Sequence, residues 1–268
     1  MSIAFIDSGV GGLPYVLTAR TYLSGEQFIY VADNASFPYG DRTPEFLIDT
    51  VSRITEHLIA HHRPRVIVIA CNTASVFALP ALRERFDVPF VGTVPAIKPA
   101  AEVTRSGRIG ILATSRTVGA AYLDQLVDVH ATECVIERLA GSDLVEFVES
   151  QGLFASDQEK RAALRDTVER LSTQSIDTLV LGCTHFIFLK EQLEAMLGPE
   201  ITIVDSRDGV ARRIVTLASQ PPQPKGVDSP EDQLWTTGET EQYETISRHY
   251  GFRYMGSLSR DVNRGAGV

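Results

Sequence analysis

Cysteine is scarce and scattered in this chain. Three occur, at positions 71, 134 and 183, and none forms a CxxC pair. An odd number at wide spacing argues against a disulfide framework and suits free thiols in a reducing cytoplasm. Long apolar runs are also missing: nothing approaches the ~20 residues of a membrane-crossing helix. Positive charge is in deficit, with 25 Lys and Arg against 34 Asp and Glu, a net charge of −9. No local cluster of Lys and Arg offsets it, which excludes a nucleic-acid footprint. The first strand-like segment begins at Ile3, so no signal peptide is expected. What is present is an ordinary globular composition in 268 residues, 44% hydrophobic and 22% charged, enough to bury a substantial core.

Short β-branched runs alternate with longer helical patterns almost throughout. Strands are predicted at Ile3–Asp7, Phe28–Ala32, Arg65–Ala70, Pro89–Thr93, Arg108–Ala113, Thr132–Glu137, Asp177–Leu181, Ile201–Val204 and Leu234–Thr236. Helices are predicted at Thr43–His61, Ser115–Val127, Ser156–Gln174 and Phe186–Leu197. Continuous apolar strands such as VIVIA and TLVL imply burial on both faces, and strand–helix alternation implies parallel sheets in an α/β protein. Pro80 falls inside the helix expected after Cys71 and should break it near Ala78–Leu79. Four prolines within Ser219–Asp232 read as a surface loop before a last strand–helix unit.

The chain carries a faint duplication. One unit reads VIVIA-CNTAS, a helix, then FVGT; the other reads DTLVLG-CTHF, a helix, then IVDS. Each follows a strand ending in small polar residues, IAFIDSGVGG in the first and IGILATSRT in the second. Asp7 precedes Cys71 by 64 residues, and Thr114 precedes Cys183 by 69. The expected architecture is therefore α/β with two similar doubly wound parallel-sheet domains related by pseudo-two-fold symmetry. Residues 1–97 with 208–268 would form one domain and 98–207 the other, with the site in the cleft where their strand ends meet. Ligands of open parallel sheets bind at the carboxyl ends of strands.

Cys71 and Cys183 each stand at the end of a buried strand, where a helix begins. First-turn amides favour a thiolate there, and a thiol that titrates near ~8.5 needs little help to ionise at neutral pH. Cys134, in the middle of the expected strand TECVIE, reads as an ordinary small apolar residue. Three chemistries use such thiols. Zinc could take Cys71, Cys183 and His185, but Cys-x-His within one turn is not a usual ligand spacing. A Cys nucleophile with His185 as base leaves the second thiol unexplained. Two-base proton transfer at a carbon acid, in which one thiolate takes a proton and the opposed thiol returns one, requires the duplication observed.

IDSGVGG at Ile6–Gly12, PYG at Pro38–Gly40, IACNTAS at Ile69–Ser75, VGTVPAIKPA at Val91–Ala100, GCTH at Gly182–His185 and VDS at Val204–Ser206 occur in one order and span nearly the whole chain. In these motifs the sequence resembles glutamate racemase, within the aspartate/glutamate racemase superfamily. The resemblance implies interconversion of L- and D-glutamate without pyridoxal phosphate, metal or nucleotide, supplying D-glutamate for bacterial peptidoglycan. It also implies a cytoplasmic homodimer with no nucleic-acid or membrane partner. Cys71 would act on the D-enantiomer and Cys183 on the L-enantiomer, assisted by Asp7 and His185 respectively. Asp7, Ser8, Tyr39, Gly40, Asn72, Thr73, Thr184 and His185 would bind the amino acid, and Thr114 and Glu149 are candidate assistants.

Each position also has a plainer reading. Asp7 could cap a helix, Tyr39-Gly40 is ordinary turn chemistry, His185 could be a satisfied interior histidine, and Glu149 could lie on a solvated helix face. The glycines at 9, 11 and 12 read as a phosphate loop only weakly, because GxGxxG and GK[ST] are both missing. Asn34, Ser36 and Phe37 stand where relatives commonly have Thr, Arg and a small aliphatic residue, and Arg207 where they have Gly. Within the superfamily, an aspartate or hydantoin racemase is the alternative enzyme; outside catalysis, a binding or regulatory protein on the same fold.

Overall fold

The computed structural model describes residues 2–218, 231–239 and 241–258. These fall into two compact units, one made of the residues up to Thr93 together with those from Arg207 onward, the other of Val94–Ser206. The first unit holds β1 (Ser2–Asp7), β2 (Gln27–Ala32), β3 (Val66–Ile69) and β4 (Phe90–Gly92). The second holds β5 (Arg108–Ala113), β6 (Val135–Ala140), β7 (Thr178–Leu181) and β8 (Thr202–Val204). The chain then returns to the first unit as β9 (Gln233–Thr236) and β10 (Arg253–Ser257).

Both sheets are parallel throughout. The first runs β10-β9-β2-β1-β3-β4 and the second β6-β5-β7-β8. Stripped of its two returning strands, the first sheet has its second, first, third and fourth strands in that order, and so does the second sheet. The duplication sensed in the sequence is thus a repeat of topology. In both sheets the strand order reverses between the first and third strands, the place where open α/β sheets offer their binding crevice.

β1 shows why these segments are strands. All six residues are buried. Ala4 and Ile6 pack with Ile67, Ile69 and the helix Pro44–His62, and Ile3 and Phe5 are fully buried on the other face. Residues with period two that are apolar on both faces suit a central parallel strand and nothing else of this length. In the second unit Ile109, Ile111, Ala113 and Val180 do the same against Ile97, Ala100 and Leu123.

Most expected elements form, one of them with the break the sequence called for, and the others differ in detail. The helix after Cys71 breaks at Ala78 into Asn72–Phe77 and Leu79–Arg85, as Pro80 requires. The stretch Ser115–Val127 is two helices, Ser115–Val118 and Ala121–His130, separated by Gly119. β6 starts at Val135, three residues later than the sequence pattern suggests, because an edge strand has exposed positions that blur its alternation. Cys134 is consequently in the bend before β6 rather than mid-strand, half-buried against the second unit's core. β10 has no apolar run and was not expected. The proline-rich loop lies outside the described residues over positions 219–230. No helix among the described residues is long and apolar enough to cross a membrane.

Candidate active site

The ladders place the two cysteines identically within their own sheets. The Ala70 amide donates to the Ile6 carbonyl at 2.8 Å, and the Gly182 amide to Leu112 at 2.7 Å. On the other side of the same strands, the Asp33 amide donates to Asp7 at 2.7 Å and the Gly141 amide to Ala113 at 3.0 Å. Cys71 and Cys183 therefore occupy one equivalent position, just past the third strand at the point of reversal. The same register aligns Thr114 with Ser8 and puts Ala113 where Asp7 stands, so Thr114 is not the counterpart of Asp7.

Both cysteines are buried, at 8% and 6% exposure. Each residue opens a short helical segment, Asn72–Phe77 after Cys71 and the tighter 3-10 turn Thr184–Leu189 after Cys183. The predicted α-helix on the Cys183 side starts only at Lys190. Neither sulfur makes a capping hydrogen bond to the turn that follows. Segments this short carry little macrodipole, so first-turn amides, not long helices, supply the local positive potential.

Around Cys71 the chemistry is anionic and hydroxylic. Asp7 is fully buried, and its Oδ1 accepts from the Ser8 amide and, at 3.3 Å, from the Ser8 hydroxyl. It does not cap the next helix, whose N-cap is Gly12. A Cβ on Gly12 would stand 2.8 Å from the Ala70 Cβ and 3.1 Å from Asp7 Oδ2, so the Gly-rich turn is set by close packing under the strand end. Tyr30 stitches that turn together, donating to the Gly9 carbonyl at 2.7 Å and accepting from the Gly12 amide at 3.1 Å. Ser75 and Thr93 both donate to the Ile69 carbonyl, at 2.9 and 2.8 Å, and hold the end of β3.

Tyr39, on the 3-10 turn Tyr39–Asp41 that also carries Gly40, shares a buried cluster with Cys71. Its hydroxyl donates to Asp33 Oδ2 at 2.7 Å. Burial, the Asp33 carboxylate and the proximity of Cys71 and Asp7 hold its phenol well above the ordinary value. It stays protonated at any physiological pH and is a fixed dipole, not a proton carrier. Asn72 is 3% exposed, and both ends of its side-chain amide are buried with no partner among the described residues. Leaving such groups unmatched costs about 1–3 kcal/mol each, so the amide marks a place for a ligand with a donor and an acceptor. Thr73 is buried beside it.

Around Cys183 the chemistry is that of an imidazole. His185 Nδ1 is 3.9 Å from the Cys183 sulfur, and His185 Nε2 is 3.0 Å from Glu149 Oε2. A carboxylate at Nε2 favours the proton there, which turns the Nδ1 lone pair toward the thiol. Glu149 sits on a wide π-helical turn, Val148–Gly152, with its side chain only 10% exposed. Such turns recur where a helix must aim a side chain. The solvated-face reading of Glu149 is thereby overturned. Thr184 is buried next to the thiol. Thr114 caps the helix Ser115–Val118, accepting from the Thr117 amide at 3.3 Å. Among the described residues no group of three or more His, Cys, Asp or Glu side chains is placed to hold a metal ion.

Comparison with known proteins adds the family. The Asp/Glu/Hydantoin racemase family matches residues 17–214. A glutamate racemase of Glaesserella parasuis is 38% identical over 96% of this chain and 97% of its own length. The chain belongs to the glutamate racemase family. Another member, from Klebsiella pneumoniae, is 40% identical over 96% of this chain and 92% of its own. The crystal structure of Escherichia coli glutamate racemase with L-glutamate and the activator UDP-MurNAc-ala superposes with a TM-score of 0.85, at 38% identity, over 96% of this chain and 98% of that one. The protein is accordingly an enzyme, an isomerase of the racemase class.

In this racemase the sequence-predicted residues separate into two groups within their own sheets, Asp7, Ser8, Tyr39, Gly40, Asn72 and Thr73 with Cys71, and Thr184, His185 and Glu149 with Cys183. Asp33 was missed, although an acidic residue directly after the apolar strand β2 was a usable signal.

Proposed function

We propose that this racemase interconverts L- and D-glutamate without a cofactor, using the thiols of Cys71 and Cys183 as paired acid and base, and so supplies D-glutamate for peptidoglycan. The observation that carries the reading is the equivalence of the two cysteines: same ladder position, same point of strand-order reversal, in two sheets of one topology. A reaction whose two directions are mirror images needs a proton carrier for each face of the carbon, and a duplicated thiol is that device.

In the forward direction one thiolate removes the α-proton, leaving its electron pair on a planar carbanion. The other thiol gives its proton to the opposite face and becomes the thiolate. The reverse reaction exchanges the roles, and no group is consumed. On the Cys183 side, His185 takes up or returns the thiol proton with Glu149 holding its far nitrogen. On the Cys71 side, Asp7 does so, or pairs with the substrate ammonium. The unmatched amide of Asn72 supports an amino-acid ligand, because ammonium and carboxylate on one carbon present the donor and the acceptor it lacks.

The test is incubation of L-glutamate in deuterated water with the purified chain, following circular dichroism and α-deuteration together. Loss of optical activity accompanied by α-deuterium in the product is expected. Aspartate and other single-enantiomer amino acids run in parallel should turn over far more slowly. No exchange with any amino acid would sink the proposal.

A further inference from the structure

A chain of hydrogen bonds outside the proton-transfer groups links the last part of the sequence to the Cys71 side. After β9 the next residues, Thr237 and Gly238, fold over the loop that follows β2. The Thr237 amide donates to the Ala32 carbonyl and to Asn34 Oδ1, both at 3.1 Å, and the Gly238 amide donates to the same Asn34 oxygen at 2.7 Å. The Ala35 amide donates to the Thr237 hydroxyl oxygen at 3.2 Å. That hydroxyl in turn donates to Asp33 Oδ1. The other Asp33 oxygen accepts the Tyr39 hydroxyl. Thr237, Asp33 and Tyr39 are all buried.

Two hydroxyls, one on each oxygen, leave the Asp33 carboxylate no freedom to rotate. They also fix the direction of the Tyr39 O–H, so the phenol oxygen turns its lone pairs away from Asp33. Tyr39 shares its buried cluster with Cys71 and interacts with it electrostatically, so the orientation of this dipole is felt at the thiol. Asn34, one of the departures from the family pattern, is the residue that grips the Thr237-Gly238 backbone.

We infer that Thr237 is a positioning residue for the Cys71 half of the reaction, acting through Asp33 to hold Tyr39 beside the thiol. The inference rests on the racemase reading above. It gives the returning segment a part in the chemistry beyond widening the sheet, from a residue 204 positions away from Asp33 in sequence. Thr237→Val keeps the shape of the side chain but strips one Asp33 oxygen of its donor and the Ala35 amide of its acceptor. Tyr39 then loses its fixed orientation.

The experiment compares the full-length wild type with Thr237→Val, Thr237→Ser, Tyr39→Phe and the Thr237→Val/Tyr39→Phe double variant. Glutamate racemisation is read as separate kcat and KM, with melting temperature as a check on folding. Thr237→Val should lose about tenfold in kcat, the scale of a misplaced site group, with KM little changed. Thr237→Ser, which keeps the hydroxyl, should stay within about twofold of wild type by the same reasoning. The double variant should be no slower than Tyr39→Phe alone, because both changes cut one link. The α-deuterium isotope effect should rise for the enantiomer that Cys71 deprotonates and stay unchanged for the other. A Thr237→Val enzyme with normal kcat, or losses that add in the double variant, would overturn the inference. If Thr237→Val does not fold, Thr237→Ser and the Asp33→Asn variant carry the same comparison, and a normal kcat in Asp33→Asn counts against it. A wild type inactive on glutamate would instead defeat the underlying reading, so the two failures are distinguishable.

Discussion

At Cys71 the backbone has φ −135° and ψ 125°; at Cys183 it has φ −138° and ψ 137°. The strand before each thiol is buried on both faces and the register of its neighbours repeats residue for residue. The side chains do not repeat. Where the first sheet has Asp7, the second has Ala113; where the second has His185, two residues after its cysteine, the first has Thr73. One thiol thus sits beside a buried carboxylate and a neutral tyrosine, the other beside an imidazole backed by Glu149. Backbone position is shared between the halves while the neighbouring side chains differ. The thiol is common to both halves, and the polar groups around it are not.

This contrast is tested first by removing the shared element. Cys71→Ser and Cys183→Ser should each lower glutamate racemisation by about a thousandfold or more, since a hydroxyl is a far weaker acid and its alkoxide inaccessible at neutral pH. Cys134→Ser, outside both settings, should leave the rate within experimental scatter. A near-normal rate from either site variant would break the equivalence. Next come the groups that differ. Asp7→Asn and His185→Asn should each cost roughly a hundredfold in kcat, within the range of lost acid–base assistance, and the loss should raise the α-deuterium isotope effect for a different enantiomer in each case. The same enantiomer responding to both would show that the assistants are not divided between the thiols.

Glu149→Gln is expected to be milder, about tenfold in kcat, because the amide oxygen still accepts from His185 Nε2 while the charge is gone. The loss should fall on the enantiomer that Cys183 deprotonates and spare the other. A normal kcat for both enantiomers in Glu149→Gln would leave Glu149 a packing residue. The smallest effect lies at the opposite end of β7. Burial alone would raise the Asp177 carboxyl, but hydrogen bonds from Thr104, Ser106, Arg105 and Thr178 outweigh it and hold the group well below the usual carboxylate range. A depressed value contributes stability above the unfolded value of about 3.9 and loses it as pH falls toward the folded one. Melting temperature should therefore fall from about pH 5 downward in the wild type. Asp177→Asn should melt a few degrees lower at neutral pH, show a flatter acid dependence and racemise normally. Equal acid sensitivity in the variant would remove Asp177 from the account.

Much of this was legible before the structure. β5 was placed to the residue, since RIGILA is short, mostly apolar and bounded by turn signals, and both cysteines were recognised at strand ends from the apolar run before them. β6 and β10 were misplaced or missed for one reason: edge strands are half exposed and carry little periodicity. That Thr114 aligns with Ser8 and Ala113 with Asp7 was not legible, because counting along the chain cannot see a ladder register. Asp33 and Thr237 were invisible as partners, being 204 positions apart.

By itself, the order of residues determined the α/β class, the parallel sheets and the chemistry available, because apolar periodicity and the short motifs around each thiol are local properties. Only the tertiary structure decided which carboxylate lies against which ring, that Glu149 turns inward to His185, and that the residues after β9 fold over the loop that follows β2. Those are contacts between segments distant in sequence, and they exist only once β-ladders and helix packing have brought the segments within hydrogen-bonding reach.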